Sequence, residues 1–314
     1  MPWFGKRAGT AKRAGTAKRA GTAKHSATAA VTVVADEIEP ADLPVPLDPT
    51  VFQRHFDTLL AGVAQDGGAD SYLAALSAKR LAVAEARGRA QGDTCGLDVL
   101  ETVLALVFTA RRKLYPALAN LGDERVAALM TELWFGALPP RERLQQFVDA
   151  MPGADSGNRA AVRSAAKLRR AAWDFAAEML HYGDDGRFPL MTHWVWDQST
   201  QSGALREFVR GGDAMREIPF SNEPAVFEGA RRWIAEQLAG QGIYRDEVLW
   251  INLVQGQAYL AYFRSMTEGS LGADFGRGVP PNEQLKRLLG IDAPPGARPD
   301  RVKKQQSAAQ AEAH

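Results

Sequence analysis

Glu178-x-x-His181 has the spacing by which one turn of a helix offers a carboxylate and an imidazole to the same metal ion. Asp184, His193 and Asp197 follow closely, and imidazole with carboxylate suits zinc or iron. A di-metal helical bundle needs the Glu-x-x-His pair twice. The second copy is missing, because Phe52 stands three before His55 and Leu190 three before His193. Two readings of the cluster remain. One is a mononuclear or acid–base site drawn from His181, Asp184, His193 and Asp197. The other is a turn whose aspartates cap neighbouring elements, with His181 at a helix C-terminus where a cation is favoured. The second is the commoner outcome for such residues, so we expect no bound metal or cofactor and keep His181, His193 and Asp197 as the catalytic candidates.

Other catalytic patterns are weaker. Cys95 precedes a helix, where the dipole lowers a thiol pKa, but acids lie nearby and no histidine is close in sequence. There is no Gly-x-Ser-x-Gly elbow, and the glycine-rich stretch from Gly269 to Gly276 lacks the Lys-Ser/Thr ending of a phosphate-binding loop. Five of the seven tryptophans fall between Trp173 and Trp250. Trp194, Trp196, Trp233 and Trp250, with Tyr259, are therefore candidates for an apolar ligand pocket or a partner surface, against the plainer reading of a core rich in large rings. Asn252, Gln255 and Gln257 interrupt the most apolar helix and need buried partners or a wet cavity.

The start of the chain carries a different kind of chemistry. Lys-Arg-Ala-Gly-Thr-Ala occurs three times in tandem from Lys6 to Ala23, and a decayed copy runs from Lys24 to Ala29. Lys6, Arg7, Lys12, Arg13, Lys18, Arg19 and Lys24 are the only charged residues before Asp36. So few large apolar side chains cannot offset the entropy of ordering a backbone, which predicts a disordered cationic arm over residues 1–35. In an extended chain a Lys-Arg pair recurs about every 19–20 Å, and duplex DNA offers a phosphate every ~1.7 Å of axis, so each pair finds a partner. No aromatic residue lies among the repeats, which points to non-specific attachment to nucleic acid or another acidic polymer. In composition this stretch of about 25 residues resembles the Lys/Ala-rich tails of bacterial histone-like proteins and of some storage-granule proteins. That resemblance implies charge-driven binding and no family.

Net charge is +1, yet residues 1–35 hold +7 and residues 293–314 hold +2, leaving about −8 for residues 36–292. An acidic body thus carries basic ends. The acidic, proline-rich stretch over residues 36–47 reads as a linker. From residue 48 to 292 the periodicity is helical: Asp48-Pro49 opens the first helix, a long one is expected from Asp98 to about Leu118 with a kink at Pro116, another runs from about Asp155 to His181, and the last long one from Tyr244 to Thr267. On the Asp155–His181 helix, Arg159, Arg163, Lys167, Arg170, Asp174, Glu178 and His181 share one side. Between Tyr182 and Ser221 the period breaks, and His193 to Val209 reads as either a small β-hairpin or a helical turn. The fold expected is all-α, with eight or nine helices, that possible hairpin near 190–210, and a disordered tail over residues 293–314.

With one cysteine there is no disulfide framework, and the longest apolar run, Val103 to Ala110, is far short of the ~20 residues of a membrane span. Ala27 to Ala35 is only loosely like the apolar stretch of a signal peptide. A cytoplasmic protein is expected. The function expected is a non-enzymatic accessory protein whose arm holds a polyanion and whose body binds a partner protein or an apolar ligand. The alternatives are a small-molecule enzyme with a His/Asp site in 181–197, and a protein of an intracellular granule surface.

Overall fold

Asp48 accepts hydrogen bonds from the Thr50 amide at 2.9 Å and the Thr50 hydroxyl at 2.7 Å, and Pro49 fills the first helical position. Helix α1 (Pro49–Ala64) starts there because one orphan donor is satisfied and another is absent. The computed structural model describes residues 38–92, 95–154, 157–268 and 279–292. The arm over 1–35 and the tail over 293–314 lie outside them.

After α1 come α2 (Gly68–Gln91), α3 (Leu97–Leu104), α4 (Leu114–Leu121), α5 (Asp123–Phe135), α6 (Pro140–Asp149), α7 (Arg159–Gly183), α8 (Ala204–Phe208), α9 (Pro224–Gly240), α10 (Glu247–Glu268) and α11 (Pro281–Leu289). The body is all-α, and no strand is found among the described residues. Among the described residues the α-helices number eleven rather than eight or nine. The single helix expected from Asp98 divides into α3 and α4, joined by turns over 105–113. Pro116 explains the division. It sits in the first turn of α4, where a missing N–H breaks nothing, so it opens a helix instead of kinking one.

The hairpin expected near 190–210 is not there. Asp197 and Ser202 exchange backbone hydrogen bonds of 2.8 and 3.2 Å, but the pairing stops at that one bridge and Ala204 begins α8. Trp194, Val195 and Trp196 are all buried, so this stretch lacks the wet face that a two-stranded ribbon needs. Gly203, at φ +128°, turns the chain inward, and a Cβ there would lie 2.6 Å from the Val195 carbonyl oxygen.

Two long helices organise the core. The second half of α7 is buried almost all round, and Ala171, Ala172, Ala176 and Ala177 give its neighbours room to approach. Helix α10 lies against α1, α8, α9 and α11. A Cβ on its Gly256 would meet the Leu285 side chain of α11 at 2.9 Å. Residues 38–47 run as a strap over the body: the Ala41 N–H donates to the Ala225 carbonyl at 2.8 Å, Leu47 is buried, and the Asp48 N–H donates to the Phe208 carbonyl at 2.7 Å.

The densest polar contact inside this body is Lys79 of α2, 1% exposed. Its Nζ donates to Glu178 Oε2 at 2.5 Å and to the Leu289 carbonyl at 2.7 Å, and stands 4.6 Å from the centre of the Tyr182 ring. Burial lowers the Lys79 ammonium pKa and pushes the Glu178 carboxyl up to about 7, while the attraction between the two opposes both shifts. One ammonium thus ties α2, α7 and the end of α11 together. Lys79→Met should cost ~3–5 kcal/mol in denaturant unfolding, because it strands Glu178, and Lys79→Met with Glu178→Leu should recover most of the loss. Equal losses in the single and double variants would show that the contact does not act as a pair.

Candidate functional site

Helix α7 carries one polar side through two environments. Asn158 caps it, accepting from the Ala160 amide at 2.9 Å. Lys167 and Arg170 on that side are exposed, whereas Asp174, Glu178 and His181, further along it, are 3%, 2% and 1% exposed. A spacing that reads as one stripe is therefore a solvated cationic half and a buried half.

The buried half does not assemble the metal site. His181 donates from Nδ1 to the Phe188 carbonyl at 2.7 Å and accepts at Nε2 from the Asn252 amide at 3.0 Å. Burial holds its pKa down at about 4, so it is a neutral cross-brace between α7 and α10 with both ring nitrogens engaged. Asp184 lies 3.6 Å from Arg87. Asp197 accepts from the Ser199 amide at 2.9 Å and hydroxyl at 2.6 Å, and pairs with Arg170. Burial alone would raise its pKa, but the bonds from Ser199 and Arg170 outweigh that and hold it at about 2. His193 faces a different partner, Asp174. Among the described residues no group of three or more His, Cys, Asp or Glu side chains is placed to hold a metal.

Asp174 is the acid whose pairing the sequence did not reveal. Its Oδ1 accepts from the His193 backbone N–H at 2.9 Å and from the ring Nδ1 at 2.7 Å, which fixes the imidazole and leaves Nε2 without a protein partner among the described residues. The His193 side chain is 19% exposed, and its ring centre lies 5.9 Å from that of Trp173. A neutral imidazole oriented through Nδ1–H by a buried carboxylate has the tautomer that leaves Nε2 an acceptor open to proton transfer, and only the protonated ring offers Nε2–H to an anion.

Two grooves flank the cationic half of α7 and share Lys167 and Arg170 as the ridge between them. One, of about 330 Å³, is lined also by Phe108, Arg112 and Lys113 from the turns before α4, with Asp174 in its wall. The other, of about 440 Å³, is lined also by Gln145 of α6, Arg169, Trp173 and His193. The Asp174–His193 pair thus joins the two grooves, with one member in each. Buried polar atoms without a protein partner gather here: Thr109 Oγ1 in the first groove's lining, and Thr192 Oγ1 and Trp194 Nε1 on either side of His193 in the chain.

The remaining expected site residues lie elsewhere. Trp196 is buried, edge-on to Phe220, with its Nε1 donating to the Phe220 carbonyl at 3.2 Å. Trp233 packs on Phe52 and Phe208, Trp250 on Phe56, and Trp194 on Tyr259, with Phe52 stacked on Phe56 between the first two. Cys95 is buried, and that burial together with Asp98 pushes its thiol up to about 11, far from a reactive thiolate. Lys6, Arg7, Lys12, Arg13, Lys18, Arg19 and Lys24 lie outside the described residues. No protein-family model, no curated protein and no solved structure matches this chain.

The Asp197 carboxylate sets an acid limit on the fold near the grooves. Its folded pKa of about 2 lies below its ordinary value of 3.8, so its contribution is full above pH 3.8 and is lost as the pH falls towards 2. That loss should reach roughly 2 kcal/mol. Thermal unfolding between pH 5 and pH 2 should show a steeper decline for the wild type than for Asp197→Asn, and parallel curves would exclude this carboxylate as a source of acid sensitivity.

Proposed function

We propose that the protein is a polyanion-binding accessory protein, in which the N-terminal repeat attaches to nucleic acid or another acidic polymer and the helical body adds a basic surface of its own. The observation that supports this reading is the gathering of Arg112, Lys113, Lys167, Arg169 and Arg170 around two adjoining grooves, on a body whose net charge is about −8. A segregated cationic patch on an acidic surface steers an anionic polymer to one place. Lys113 and Lys167 have no ion-pair partner among the described residues, so their charges are available to phosphates. The body has no helix, among the described residues, long and apolar enough to cross a membrane. With its one cysteine buried and protonated, the chain suits a reducing compartment such as the cytoplasm.

The test is fluorescence anisotropy of labelled duplex DNA over a salt series. If the seven arm cations all pair, the slope of log affinity against log salt for the full chain should approach about −6 or steeper. A chain starting at Asp36 should retain weak binding with a shallower slope, and Lys113→Glu with Lys167→Glu should abolish that remainder. Equal salt-dependent affinity with and without residues 1–35 would refute the role of the arm.

The Asp174–His193 geometry favours one second reading, a small-molecule enzyme using His193 Nε2 in proton transfer. General acid–base catalysis by one such group is worth ~10²–10⁴-fold in rate, so any turnover found should fall by that factor in His193→Asn.

A further inference from the structure

The groove of about 440 Å³ between α6 and α7 is lined by three cations, an imidazole, an indole and the Gln145 amide, and by no carboxylate. Arg169 pairs with Asp149 and Arg170 with Asp197, yet a guanidinium has five N–H donors and each keeps others for the groove. Lys167 has no ion-pair partner among the described residues. His193 presents Nε2, because Asp174 takes Nδ1 at 2.7 Å. The indole of Trp173 is held by its Nε1 bond to the Met191 carbonyl at 2.8 Å, and with Val148 and Ala166 it supplies an apolar wall beside the charges.

We propose that this groove binds a phosphate monoester: Lys167, Arg169 and Arg170 hold the phosphate oxygens, His193 in its protonated form adds Nε2–H as a fourth donor, and the organic group lies against Trp173. The proposal rests on reading the basic side of α7 as an anion-binding surface. The volume lies within the range of small-molecule sites. A monoester is favoured over a diester because it offers three unesterified oxygens to these donors, where a diester offers two. The charged and titratable groups facing or neighbouring that ring are Asp174, Lys167, Arg169 and Arg170 of α7 and Asp197 of its own segment, with Tyr259 of α10 within electrostatic range of Asp174 and Arg170. From α6 come the neutral Gln145 and the Asp149 carboxylate, which pairs with Arg169 and accepts from the Gln145 amide at 2.9 Å.

The experiment is an NMR titration of the full chain with inorganic phosphate and with phenyl phosphate, following the His193 ring resonances across pH, alongside the duplex DNA assay. Saturable binding is expected, tighter for phenyl phosphate, with the His193 titration moved to higher pH by the ligand. Lys167→Ala should weaken binding about tenfold or more. His193→Asn, which can still donate to Asp174 but lacks Nε2, should remove the coupling to pH. Absence of saturation, or binding unchanged in both variants, overturns the proposal. DNA binding that persists without phosphate-ester binding overturns it too, leaving the polyanion reading in place, whereas ester binding without DNA binding upholds the site and removes that reading.

Discussion

A single buried ammonium limits what the rest of this fold can do. Lys79 reaches three elements far apart in sequence: the middle of α2, the Glu178 carboxyl of α7 and the last carbonyl of α11. Its partners are fixed in turn. Gly290, at φ +69°, has no room for a Cβ, which would lie 1.6 Å from the Leu106 carbonyl oxygen and 3.1 Å from Lys79 Nζ, so the chain leaving α11 must pass against the turns that follow α3. Those turns lead to Arg112 and Lys113. The position of one groove wall is therefore linked, through backbone, to an interaction deep in the core.

The same logic explains why α7 is both support and surface. Its alanines let it sink between neighbours from Ala171 onward, whereas the turns before that, with Lys167 and Arg170, are largely open to water. Asp174 lies at the crossing. It is buried enough to need a partner and close enough to the opening to hold His193 at the groove.

Much of the architecture was legible in the chain because helices announce themselves locally. The Asp48-Pro49 start of α1 and the long last helix expected from Tyr244 to Thr267, which forms α10, follow from a cap and a helical run of apolar residues. What escaped depends on tertiary approach. Pro116 reads as a kink in one helix until the turns before it are seen, and the aromatic run Trp194–Trp196 reads as hairpin or helical turn until all three residues prove buried. The site divides the same way. The shared side of Lys167, Arg170, Asp174, Glu178 and His181 is a matter of spacing, but Asp174 choosing His193, and Lys79 choosing Glu178, are pairings across 19 and 99 residues that no local pattern encodes. Lys79, in an alanine-rich helix, gave no signal at all; the buried side of α2 would have been the only hint.

The strap over residues 38–47 has a mechanical consequence. It is held by short backbone bonds from Ala41 to Ala225, from Arg210 to Pro46 and from Asp48 to Phe208, and Gly229 lets it lie so close to α9 that a Cβ would come within 2.3 Å of the Ala41 carbonyl oxygen. Tension drawn along the chain at Ile38 enters the body through these bonds in sequence, first at α9 and then at α8. The first to yield lengthens the chain by a few residues before any helix of the core is strained. The strap is thus held one bond at a time along the surface, and peeling it back from Ile38 would break those bonds before the packed helices behind it.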